Sequence, residues 1–163
     1  MPLTELSTAR IPEVYRQFAA VVGDGHWKNR VGQLKLEIRG NRFLAQHLQN
    51  ENALAYQFER LRELTAKFGQ IPQWEADNHA IYPAASFAAQ VLSIMEVSPR
   101  QFAEQLRRRV HGAFKNPDDM RGLRLELRAC EHLAARMLLV EWYEQHHYRS
   151  GIERANWRSV RGA

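Results

Sequence analysis

No run of this 163-residue sequence approaches the about 18 consecutive apolar residues that a membrane-spanning helix requires. The opening stretch MPLTELSTARIPEV lacks the apolar centre of a signal peptide. Neither a membrane span nor a secretory leader is therefore expected. Cysteine is almost missing: Cys130 alone rules out an intramolecular disulfide and a cysteine-rich zinc cluster, and it suits a reducing, cytoplasmic compartment. Lysine is scarce too, with four residues against 19 arginines. There is no G-x-S-x-G, no glycine-rich phosphate loop and no H-E-x-x-H, so the common signatures of hydrolases, nucleotide-binding proteins and zinc proteases are absent. The sequence implies no cofactor and no metal site.

What is present suffices for a packed core. Apolar residues make up 45% and charged residues 25%, both ordinary for a globular domain. The formal net charge is +5. Arginine accounts for nearly all of the positive charge, and its planar fork suits phosphate and carboxylate better than lysine does.

Periodicity predicts a mainly α, compact domain of about six helices over residues 1–144, followed by a basic C-terminal tail over 145–163. Val14, Phe18 and Val21 or Val22 share a helical stripe from Pro12 to Val22, which Gly23, Asp24 and Gly25 should stop. Residues 31–39 are ambiguous. Leu34, Leu36 and Ile38 alternate with charged residues as in a strand, while Val31, Leu34 and Ile38 fit a helix. A lone strand leaves its backbone groups without partners, which tips the balance toward helix.

Phe43, Leu44, Leu48, Leu54, Phe58, Leu61 and Leu64 then predict one long helix, or two joined near Gln49 to Asn52, with Gly69 as the C-terminal cap. Residues 70–83 read as a loop or a broken helix, with Trp74 a candidate core anchor beside Trp142. Ala84 to Val97 is apolar nearly all round and should be the central helix. Ser98–Pro99 and Asn116–Pro117 each resemble a helix start, and Asp118 and Asp119 suit the positive end of the helix dipole. At most a small strand element is expected near 138–142.

Two basic features suit nucleic acid. Arg107, Arg108 and Arg109 with Arg121, Arg124 and Arg128 could contact phosphates, although three consecutive arginines span most of a helix and at least one should meet Glu104, Glu126 or Glu131. In the tail, Arg149, Arg154, Trp157 and Arg158 have the composition of an arm that neutralises phosphates and stacks on bases. Glu126 lies beside the apolar stripe of its helix, where an acid must be paired, hydrated or functional; an arginine one turn away is the simplest partner. Glu144 and His147 form a single E-x-x-H, and one copy does not make a di-metal site. Cys130 sits among Leu127, Ala129, Leu133 and Ala134, the setting of an inert thiol.

The pattern D-x-R-G-L-x-x-E-L-x-A-x-x-H-L, carried by Asp119, Arg121, Gly122, Leu123, Glu126, Leu127, Ala129, His132 and Leu133, leads into the apolar segment Val140 to Trp142. Together, residues 116–144 resemble the opening helix and first strand of PD-(D/E)xK nuclease-like proteins. The resemblance implies that Glu126 would help organise a metal site. It also implies a later aspartate and an acid-x-lysine pair, yet no aspartate and no lysine follows Trp142.

The expectation is accordingly a noncatalytic, nucleic-acid-associated or nuclease-related accessory module of bacterial or phage type, binding DNA or RNA. One alternative is a helical module for protein interaction or homodimerisation. Another is a metal-dependent nuclease fragment using Glu126, Glu141 and Glu144. A truncated relative of that family would also explain the missing catalytic half.

Overall fold

Phe18, Trp27, Phe58 and Phe87 come from four different helices, Phe114 directly follows a fifth, and all meet in one aromatic cluster. Phe18 stacks on Phe58 with ring centroids 4.9 Å apart, and Trp27 stacks on Phe58 at 5.1 Å. Phe87 stands edge-on to both phenylalanines at 6.0 and 6.1 Å. Trp27, Phe18 and Phe58 are completely buried. Truncating any one of them to alanine should cost about 3–5 kcal/mol.

The computed structural model describes residues 6–135, and the side chains only as far as Cys130. These residues form eight α-helices and no strand. The helices are α1 (Ile11–Val22), α2 (Gly25–Gly40), α3 (Ala45–Glu51), α4 (Ala53–Phe68), α5 (Gln73–Asp77), α6 (Tyr82–Val97), α7 (Arg100–Ala113) and α8 (Pro117–Ala135). Short 3-10 turns occupy Thr8–Arg10 and Arg42–Leu44. Helix α1 lies against α6, α2 against α4, and α7 against both α6 and α8. The possible strand near 138–142, the tail over 145–163, and Trp142 fall outside the described residues.

Local chemistry explains most of the boundaries. Ile11, Val14, Tyr15, Phe18 and Val22 recur at helical spacing and are all buried, and Pro12 sits in the first turn of α1. Gly23 ends that helix with a φ of 90°, a conformation strained for any side chain. In α2 the buried positions are Trp27, Val31 and Leu34, whereas Leu36 is 65% exposed. The helical spacing governs this segment, and the strand-like alternation around Leu36 does not.

The stretch from Asn41 to Phe68 is divided at Asn52. Asn52 is buried, donates from Nδ2 to the Leu48 carbonyl at 2.9 Å and accepts from Arg30 Nε at 3.0 Å. Its side chain thereby competes with the backbone at the junction. Gly69, left-handed at φ 68°, donates its N–H to the Thr65 carbonyl and ends α4.

The expected inward placement of Phe43 and Leu44 does not hold. Phe43 is 98% exposed, Leu44 is exposed, and α3 contains no buried residue. The 3-10 turn and the Asn52 break rotate this segment out of the stripe that α4 continues.

Trp74, a candidate core anchor, is also exposed and lies 5.4 Å beneath the guanidinium of Arg60. That arginine makes a two-pronged pair with the buried carboxylate of Glu75, at 3.2 and 3.0 Å. The pair lets the short helix α5 bury an acid while leaving its tryptophan outside.

Ser98 and Pro99 are displaced by one position from the expected cap: Pro99 precedes the helix in an extended conformation, and α7 begins at Arg100 without a side-chain cap. Asn116 does cap α8, its Oδ1 accepting from the Asp118 N–H at 2.9 Å, with Asp118 and Asp119 in the first turn.

Candidate functional site

The described candidate arginines divide by partner. On α7, both oxygens of Glu104 accept from Arg107, at 2.8 and 2.6 Å, and one also accepts from Arg108 at 3.2 Å. These bonds to Arg107 and Arg108 hold the Glu104 carboxyl at about 2, far below the ordinary 4.5. Arg109 reaches across to α8 and grips Glu126 with two bonds of 2.5 and 2.8 Å. The acid beside the apolar stripe is therefore paired, but with the neighbouring helix and not with an arginine one turn away. Arg121 bonds to Glu51 at the end of α3, at 2.6 Å, and to Asp118 in its own helix.

Arg124 and Arg128 differ from these four. Among the side chains described, which end before Glu131, neither has a carboxylate partner. They lie one turn apart on α8 and line a cleft of about 360 Å³, together with His79, Tyr82, Ser86 and Gln90. Phe87 forms part of its floor and joins it directly to the aromatic cluster.

Arg124 is half-buried, whereas Arg128 is exposed. Burial, and secondly the like charge of Arg128, lowers the pKa of Arg124 from its ordinary value. A guanidinium withdrawn from water beside a second one is an electrostatically unfavourable arrangement that an anion would relieve.

The opposite wall is rigid where it matters. The Tyr82 hydroxyl and Thr8 Oγ1 share a hydrogen bond of 2.7 Å, which ties the first turn of α6 to the 3-10 turn before α1. The His79 ring leans on Tyr82 with centroids 5.2 Å apart. His79 holds a φ of 55°, the left-handed region that a non-glycine residue enters at a cost. None of His79, Tyr82 or Ser86 stood out from the sequence, and the strained turn carries no glycine to mark it.

Away from the cleft, His26 and His111 stack at 4.0 Å, and His111 Nε2 donates to the Val22 carbonyl at 2.8 Å at the end of α1. Burial and the neighbouring His111, Lys115 and Arg107 lower the His26 pKa, which favours a neutral ring there. Cys130 is half-buried, and burial with the adjacent Glu126 raises its thiol pKa, opposite to what a nucleophile needs. No group of three or more His, Cys, Asp or Glu converges on a point among the described residues. Glu141, Glu144, His147, Arg149, Arg154, Trp157 and Arg158 fall outside them.

No known family model matches the chain, and no curated protein or solved structure shows significant similarity to it.

Proposed function

We propose that this chain is a noncatalytic nucleic-acid-binding module, with phosphate contacts centred on Arg124 and Arg128. The observation that carries this reading is the cleft between α6 and α8, where two arginines one turn apart face an aromatic wall with no carboxylate between them among the described side chains. Arg107, Arg108, Arg109 and Arg121 already hold carboxylates, so a phosphate would first have to displace an ion pair at each. The proposed arm of Arg149, Arg154, Trp157 and Arg158 would add further phosphate and stacking contacts. A nuclease-related origin in a bacterial or phage setting rests on the resemblance of residues 116–144 alone.

The test is fluorescence anisotropy of short single- and double-stranded DNA and RNA with the full chain, at about 50 and about 200 mM salt. Binding should weaken steeply with salt, and each arginine replaced in the cleft should reduce the logarithmic salt slope by about 0.7–0.9. No binding at low salt would overturn the proposal.

A second reading, a module for protein interaction or homodimerisation, is favoured by one separate observation. Leu36, Phe43 and Leu44 are all exposed, on and just after the end of α2. A concentration-dependent dimer by sedimentation, lost in Phe43→Ser, would support it.

A further inference from the structure

The cleft between α6 and α8 has properties that a general phosphate-tracking surface does not need. Its volume of about 360 Å³ suits one phosphoryl group with part of a nucleotide, and it is far too small for a continuous duplex backbone. Its cations sit together on one helix, and a track along a strand would instead spread them at successive phosphate spacings. Arg124 and Arg128 supply two positive charges, and a phosphomonoester at neutral pH carries nearly two negative ones, whereas an internal phosphodiester carries one. The planar forks of two arginines can between them bond all three terminal oxygens of such a group.

The remaining walls accommodate what is attached to that phosphate. The Tyr82 ring, hydrogen-bonded through its hydroxyl to Thr8, and the His79 ring leaning on it present aromatic surface on the cleft's wall. Ser86 provides a hydroxyl from the next turn of α6, and the buried Phe87 gives a floor that cannot collapse without disturbing the aromatic cluster. The cost of keeping Arg124 half-buried is borne by the free protein and removed on binding a dianion.

We infer that this cleft is a pocket for a terminal phosphomonoester of a nucleic-acid strand, held by Arg124 and Arg128 with the adjoining base against Tyr82 and His79. The inference rests on the nucleic-acid reading above and narrows it to strand ends. Inorganic phosphate and a free mononucleotide share the same chemistry, so the test must separate them from an oligonucleotide end.

The experiment compares single-stranded oligonucleotides of one sequence bearing a 5′-phosphate, a 3′-phosphate or hydroxyls at both ends, with AMP and inorganic phosphate as competitors of the full chain. A preference of about tenfold or more for a phosphorylated end is expected, with AMP competing better than inorganic phosphate. The preference should disappear in Arg124→Gln and in Arg128→Gln and survive in Arg107→Gln. Ser86→Asp, which leaves both arginines in place and puts a carboxylate in the cleft, should abolish it as well, and provides the test if an arginine variant fails to fold.

Equal affinity for phosphorylated and hydroxyl ends would overturn the inference while leaving salt-dependent nucleic-acid binding intact. A preference retained in the cleft variants would overturn it too. Absence of binding to every oligonucleotide would instead overturn the broader proposal together with this one.

Discussion

Helices α7 and α8 each carry arginines in close succession, yet their charge ends in different places. On α7, Arg107 and Arg108 converge on Glu104 and Arg109 crosses to Glu126, so the Arg107–Arg109 run is largely neutralised within the protein. On α8, Arg121 is similarly held by Glu51 and Asp118, but one and two turns later Arg124 and Arg128 face a cleft with no acid among the described side chains. The denser basic run is thus the poorer place to look for an anion. Positive residues form a binding surface according to which carboxylates their own fold has already supplied, and the count of arginines is a weak guide.

The sharpest test of that contrast is a pair of double substitutions. Arg124→Gln with Arg128→Gln should weaken oligonucleotide binding by about a hundredfold at low salt, the loss of two charge-assisted phosphate contacts. Arg107→Gln with Arg108→Gln should weaken it by no more than about threefold. Comparable losses in titrations at matched salt would erase the distinction between the two helices.

Next in size, Glu126→Gln takes a two-pronged partner from Arg109. Both side chains are more than a third exposed or nearly so, at 33% and 40%, and solvent screening limits the expected destabilisation to about 1 kcal/mol. Adding Arg109→Gln should restore part of the loss, and a double-mutant cycle in urea measures the coupling.

A smaller effect of opposite sign is expected in the cleft. Arg124→Met should raise stability by about 0.5 kcal/mol, because it removes a half-buried charge that lies beside another. That corresponds to about 1–2 °C in Tm. A fall in Tm would mean that Arg124 stabilises the free protein as the α7 arginines do.

Smallest of all, Glu104→Gln should release Arg107 and Arg108 and raise binding to any oligonucleotide about twofold at low salt. The sign of the accompanying pH effect follows from the lowered Glu104 pKa. Its contribution to stability is complete above the ordinary value of 4.5 and is lost as pH falls through about 2. A comparison of acid unfolding in the wild type and Glu104→Gln isolates that contribution.

The elements legible in the sequence are those written in local chemistry. The α1 stripe of Val14 and Phe18, the Gly69 cap, the apolar α6 and the Asn116 cap depend on neighbours within a turn or two, and each is found in the fold. The alternation of Leu34, Leu36 and Ile38 was equivocal because a period of two and a period of 3.6 share two of three positions there. The exposure of Phe43 and Trp74 depends on how α3 and α5 turn relative to distant helices, which short-range spacing does not contain.

The same holds for the site. Glu104 lies one turn before Arg107 and Arg108 and Asp118 one turn before Arg121, pairings that local spacing allows, whereas the partners Glu126 of Arg109 and Glu51 of Arg121 are set by the packing of separate helices. His79 and Tyr82 precede α8 by about forty residues, and nothing in either stretch announces the other.

Helix α3 was described above as an element that buries nothing, fastened by the Asn52 junction at its end and by the Glu51 bond to Arg121. In terms of amide hydrogen exchange, its backbone protons should leave through local opening events that never involve the aromatic cluster. Those of α4 and α6 should await unfolding of the whole domain. A seven-residue segment could therefore detach and re-form many times within the lifetime of one native molecule, and its Glu51 tether to Arg121 of α8 ends only a turn before Arg124.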